Sequence, residues 1–176
     1  MLDLSSLVFE RAAAKDARAF VELEKKVAIP RIYEARLAID DATSEICRNS
    51  LYFIKLRDSV IGSVSARMQE DGSVYFGNLA VVPDYRRKGV ARAAMAFLIG
   101  LHKHATRLEL VTHPENFAAI RLYTSLGFEI EGLFANYFGD GEPRVLLSRT
   151  LTAAETERPL KDRAVRARPR CGSPRA

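Results

Sequence analysis

Tryptophan is absent from this chain, and only two cysteines and three histidines occur in 176 residues. Cys47 and Cys171 are far apart, so there is no disulfide framework, and a reducing, cytoplasmic setting is expected. His102 and His104 sit two apart on an expected helix and point in different directions. His113 stands alone at a strand–helix junction, so no metal constellation is expected. No apolar run is long: Ala93–Leu101, the longest without a charge, is too short to span a bilayer. The opening "MLDLSSLVFERAAAK" is acidic early and lacks the apolar core of a signal peptide. Neither G-x-x-x-x-G-K-[ST] nor G-x-G-x-x-G occurs, which excludes a Walker loop and a dinucleotide fingerprint.

The net charge of +5 raises the question of nucleic acid, but its distribution argues otherwise. Residues 152–176 hold seven Lys/Arg and three Asp/Glu, whereas residues 1–151 hold 20 and 19. The tail makes the chain basic. It has no aromatics on which bases would stack. Its apolar periodicity stops after Leu151, so residues 1–151 read as one domain and 152–176 as a disordered basic tail. A weak electrostatic contact of that tail with RNA or ribosomes is the most that its charge suggests.

Periodicity predicts strands over Ser6–Ala12, Leu51–Leu56, Ser59–Met68, Ser73–Val82, Thr106–Val111, Phe128–Phe138 and Pro143–Leu151. It predicts helices over Asp16–Val27, Asp40–Cys47, Lys88–His104 and Glu115–Leu126. The order β-α-α-β-β-β-α-β-α-β-β implies a mixed α/β sheet with helices on both faces.

"VVPDYRRKGVARAAM" (Val81–Met95) places Arg86, Arg87 and Lys88 directly before a helix. A helix N-terminus already carries partial positive charge, so three cations there imply an external anion. Gly89 would let the backbone approach that anion closely. The plain alternative is a solvated basic turn. The context favours a ligand. Arg86-Arg87-Lys88-Gly89-Val90-Ala91 matches the R/Q-x-x-G-x-G/A signature of the GNAT (GCN5-related N-acetyltransferase) family, which this chain resembles. "ENFAAIRLYTSLGFEIEG" (Glu115–Gly132) resembles the N-x-x-A-I-x-L-Y-x-x-x-G-F block of the same family. The resemblance covers about residues 4–151, and its first third is generic. It implies the GNAT fold, a mostly antiparallel twisted sheet of about seven strands, and acetyl-CoA as acetyl donor. The loop from Arg86 to Arg92 would hold the pyrophosphate, Leu79, Ala80 and Val81 would pair with the pantetheine arm, and Asn116 would bind that arm as well.

The same resemblance makes Tyr123 the proton donor to the departing thiolate. Asn116 and Tyr123, seven residues apart, share a helix face; the plain alternative for Tyr123 is a core aromatic. Some relatives carry a glutamate five residues before the motif asparagine, and here that position is Val111. Glu109, two residues earlier on the same strand face, is the candidate base, with a solvated strand residue as its alternative. Asn78 is a candidate for ordering a water, and His113 for packing at the loop. An α-amine of pKa about 7.8 is roughly a third neutral at pH 7.5, against about 0.1% of a lysine amine, so a weak base suits a peptide N-terminus. "FANYFGDGE" (Phe134–Glu142) resembles the segment before the last hairpin of ribosomal-protein alanine N-acetyltransferases, which would place Tyr137 and Phe138 on the acceptor groove. At "EPR" (Glu142–Arg144) the chain departs from that subfamily, where an acidic pair is more usual. Small-molecule amine acetylation and a non-catalytic acyl-CoA module on the same fold remain as alternatives, with either a monomer or a dimer.

Overall fold

The computed structural model describes residues 2–33 and 35–152 and the backbone of 165–166. The expected eleven elements occur in the expected order. Strand β1 (Leu7–Arg11) is followed by helices α1 (Ala17–Val27) and α2 (Ile39–Arg48). Strands β2 (Ser50–Leu56), β3 (Ser59–Met68) and β4 (Val74–Val81) form an antiparallel run. Helix α3 (Val90–Leu101), strand β5 (Arg107–Thr112), helix α4 (Phe117–Thr124) and the hairpin β6 (Glu129–Phe134) and β7 (Arg144–Thr150) complete the domain. A two-residue strand, β8 (Val165–Arg166), lies parallel to β1. The sheet order is β6-β7-β5-β4-β3-β2-β1-β8, mixed and mostly antiparallel, with β4–β5 the parallel pair inside it. The rest of the tail predicted as disordered lies outside the described residues.

Two cores cover the two sheet faces. β2 alternates between them: Leu51 and Phe53 pack under α1 and α2, whereas Tyr52 and Ile54 face α3. This is the period-two pattern of a strand buried on both sides. On the α3 face, Phe97 stacks on Phe9 at 4.2 Å and meets the edge of Tyr52 at 5.0 Å. Ala94, Met95 and Leu98 are fully buried there; each of the two larger side chains contributes about 1.5–3 kcal/mol by leaving water.

Helix ends explain the boundaries that sequence periodicity overshoots. α3 begins at Val90 because Gly89 adopts φ +86°, which no helix continues. α4 begins at Phe117 because Asn116 turns its Oδ1 to the amide of Ala119 at 3.3 Å. It ends at Thr124, where Gly127 at φ +82° reverses the chain and the amide of Phe128 closes on the carbonyl of Tyr123.

One irregularity positions the site. Across β3–β4, Ser65 faces Asn78 while Ala66 faces Phe76, so Gly77 is an extra residue in β4. Before it, Val74 and Phe76 face α3; after it, Val81 does, and Ala80 turns to α1 and α2. β4 pairs with β5 only through Val74–Phe76. Beyond the bulge the two strands part, and the β5-side edge of β4 is left without a strand partner.

Candidate active site

The gap between β4 and β5 opens into a cavity of about 700 Å³. Its walls come from the α1–α2 connection, α2, the bulged part of β4, the end of β5, the start of α4 and the β6–β7 turn. Leu79, Asn116, Tyr123 and Phe138 all line it. The family-derived cofactor strand, both motif residues of α4 and one of the two acceptor aromatics are therefore brought together. Tyr137 is stacked edge-on against Phe138 at 4.9 Å, one layer behind it.

Tyr123 is buried, and no side chain among the described residues hydrogen-bonds to its hydroxyl. Desolvation pushes its phenol well above the ordinary value of 10, so it is protonated at neutral pH.

The basic turn divides its labour. Arg86 is directed inward: its Nε donates to the carbonyl of Val81 at 2.9 Å and its Nη2 to that of Val27 at 3.2 Å, fastening α1 to the end of β4. Arg87 adopts φ +57° and Gly89 φ +86°. No side chain caps α3, so the amides at its start stay open to an anion. Lys88 lies 5.6 Å over the ring of Tyr85, and Arg92 donates to Ser125 Oγ at 2.6 Å, beside the end of α4. Val90 is a core residue, Ala91 is half-buried, and Ala80 and Val81 pack into opposite cores, leaving their backbone at the open edge.

Glu109, the expected carboxylate base, stands outside this assembly. Its Oε1 accepts from Arg107 Nε at 2.7 Å, its Oε2 from Gln69 Nε2 at 3.1 Å, and it does not line the cavity. Arg107 also pairs with Glu131, so Glu109 belongs to a charge cluster at the sheet surface.

A buried polar network stands nearer the cavity instead. Glu24 of α1 is fully buried. It accepts from Tyr33 Oη at 2.7 Å and from the Arg36 amide at 3.1 Å. Asn78 Nδ2 donates to Tyr33 Oη at 2.5 Å, while Ser63 donates to Asn78 Oδ1 at 2.8 Å. Arg36 bridges on to Glu45 at 3.3 Å. Burial first, and the charge of Glu24 second, hold the Tyr33 phenol well above its ordinary value. The signal for Glu24 was present: it interrupts the apolar stripe Phe20, Val21, Leu23, Val27. A carboxylate on a core stripe must find donors. Nothing local announces that Tyr33 and Asn78 are those partners.

His113 is 2% exposed and lines the cavity wall. Its Nδ1 accepts from the Glu115 amide at 3.1 Å, whereas its buried Nε2 lies 3.4 Å from Glu142 Oε2 and makes no hydrogen bond among the described residues. It holds the turn into α4, as expected of a junction histidine.

The model of the Acetyltransferase (GNAT) family matches residues 16–128. The chain is 44% identical over 63 residues to the [ribosomal protein bS18]-alanine N-acetyltransferase of Escherichia coli K12, covering 35% of this chain and 43% of that protein. It is 32% identical over 77 residues to an N-alpha-acetyltransferase of Saccharolobus solfataricus, covering 42% of this chain and 46% of that one. The match thus spans less than half the length of these curated relatives. The crystal structure of the ribosomal-protein-S18-alanine N-acetyltransferase from Escherichia coli superposes with a TM-score of 0.70 at 22% identity, covering 83% of this chain and 94% of that one.

Proposed function

Since the chain belongs to the GNAT acetyltransferase family, we propose that it transfers an acetyl group from acetyl-CoA to a primary amine, with a peptide N-terminal amine as the leading acceptor. One observation carries this reading: β4 leaves β5 after Phe76, and the slot so formed holds Leu79, Asn116 and Tyr123 on one cavity. The residues present fit the donor. The unpaired edge of β4 from Asn78 to Val81 offers strand-like hydrogen bonds to the amide-bearing pantetheine arm. The uncapped start of α3, with Arg87 and Lys88 beside it, suits a pyrophosphate.

In this reading the acceptor amine enters from the side of α2 and the β6–β7 turn, against Phe138. The attack is direct, and the amine must shed a proton. With Glu109 engaged elsewhere, a water held at the Tyr33–Asn78 corner is the proton's first acceptor, which suffices for an α-amine of which about a third is already neutral. Tyr123 gives its proton to the departing thiolate. Relatives that act on protein N-termini support the leading acceptor. A small-molecule amine is the second reading, favoured by the departure at Glu142–Arg144 from the subfamily pattern. A cytoplasmic setting belongs to the proposal; the one described cysteine, Cys47, lies at the surface. The test is release of CoA thiol from acetyl-CoA on addition of an N-terminal peptide, with calorimetric binding of acetyl-CoA measured in parallel. Binding without release to any amine would reduce the protein to an acyl-CoA-binding module.

A further inference from the structure

Resting on the acetyltransferase reading, we propose that the acceptor is a primary amine carrying a carboxylate close to the amino group, and that Arg48 and Arg67 recognise that carboxylate. Among the described residues, the charged ones lining the cavity are Arg36, Arg48, Arg67, Arg144, Asp41 and Glu45. Four guanidiniums thus face two carboxylates. Half of these groups are already paired within the fold. Glu45 is engaged by Arg36 at 3.3 Å and by Ser65 at 3.1 Å. Arg144 is held by Asp140 at 2.8 Å and lies over the Phe138 ring.

Arg48 and Arg67 differ from these. Neither has a carboxylate partner among the described residues, and both reach the mouth of the cavity from separate elements, the end of α2 and the end of β3. Arg67 is braced: it faces Tyr75 across β3–β4, and its guanidinium sits 5.8 Å from the centre of that ring, itself a cavity wall. A braced guanidinium loses little freedom on binding, and its fork matches a carboxylate in two hydrogen bonds. A polycationic amine meets the opposite field: two guanidiniums without a carboxylate partner repel it, with Asp41 as the one acid lining the cavity that has no partner among the described residues. The wall therefore selects by charge next to the amine, which is a different discrimination from the proton chemistry at Tyr123.

The experiment compares kcat/KM of the full chain for three amidated tetrapeptides, Ala-Glu-Ala-Ala, Ala-Gln-Ala-Ala and Ala-Lys-Ala-Ala, with free glutamate and spermidine as further probes. The expected result is a preference of about tenfold or more for the Glu over the Gln peptide, with Lys peptide and spermidine poorest. In Arg48→Gln and Arg67→Gln the Glu-to-Gln ratio falls toward one. Loss of the ratio at an unchanged Tm shows recognition rather than folding. If the tetrapeptide is the faster carboxylate, the source is a peptide; if free glutamate is, the source is an amino acid. Equal rates for the Glu and Gln peptides, or a lead for the cationic probes, would overturn the inference and leave the transferase reading standing. Failure of every acceptor to release CoA would overturn both.

Discussion

Gly89 lies directly against Leu4: a Cβ at position 89 would stand 2.9 Å from Leu4 Cδ1. The Leu4 side chain of the short 3-10 turn Leu4–Ser6 therefore lies against the basic loop that precedes α3; the glycine is required for φ +86°, and the contact adds only a shift of the leucine tip. Gly89→Ala is expected to cost about 1–2 kcal/mol from the left-handed backbone alone. Thermal unfolding should show a Tm lower by several degrees. Leu4→Ala in the same chain should recover only the part due to the clash, because the backbone strain remains.

Arg86 and Arg87 are neighbours with separate duties. Arg86→Ala removes two charge-assisted hydrogen bonds to the carbonyls of Val81 and Val27, so it should lower stability by about 1.5–3 kcal/mol. Arg87→Ala breaks no bond of that kind and should instead weaken acetyl-CoA binding, by a factor that shrinks as salt is raised. Denaturant titration and calorimetry on the two variants separate these effects. Equal affinity losses without a stability difference would contradict the division.

Glu24 is surrounded by donors. Glu24→Leu leaves the Tyr33 hydroxyl and the Arg36 amide without an acceptor, each costing roughly 1–3 kcal/mol. Tyr33→Phe in turn leaves the buried Asn78 Nδ2 without its hydroxyl acceptor. Because both changes delete the same Tyr33–Glu24 bond, the double variant should lose less stability than the sum of the two single losses, which a double-mutant cycle measures directly.

Tyr33, Tyr75 and Tyr123 all have phenols raised above their ordinary value of 10, desolvation being the largest cause in each. A phenol stays neutral in the folded chain at a pH where it ionises in the unfolded one. The stability that these groups contribute is complete below pH 10 and is lost as pH rises from 10 toward their folded values. Three of the six tyrosines should thus resist ionisation, read as phenolate absorbance, until the protein unfolds. A native titration of all six near pH 10 would contradict their burial.

The second half of the chain was legible because its constraints are local. Gly89 and Gly127 mark turns that need left-handed backbone, and Asn116 caps the helix that it begins. The spacing from Asn116 to Tyr123 placed both on one face, and both line the cavity. Long-range partnerships were not legible. Glu109 looked available for catalysis because Gln69, its hydrogen-bond partner, is 40 residues away in sequence. Asn78 reaches Tyr33 across 45 residues, and Arg86 reaches Val27 across 59. The bulge at Gly77 carries no sequence signal, because one extra residue leaves the apolar pattern intact on each side of it. Yet it coincides with the parting of β4 from β5 and so with the site.

The most direct measurement is steady-state turnover and acetyl-CoA affinity of Tyr123→Phe. The substitution deletes one hydroxyl and keeps the ring that packs on Phe128, so folding should survive. As the proton donor to the thiolate, Tyr123 should account for about 10²–10⁴-fold in kcat, roughly 3–5 kcal/mol of barrier, with acetyl-CoA affinity nearly unchanged. Unchanged turnover in a folded Tyr123→Phe protein would contradict the account and return this tyrosine to the core.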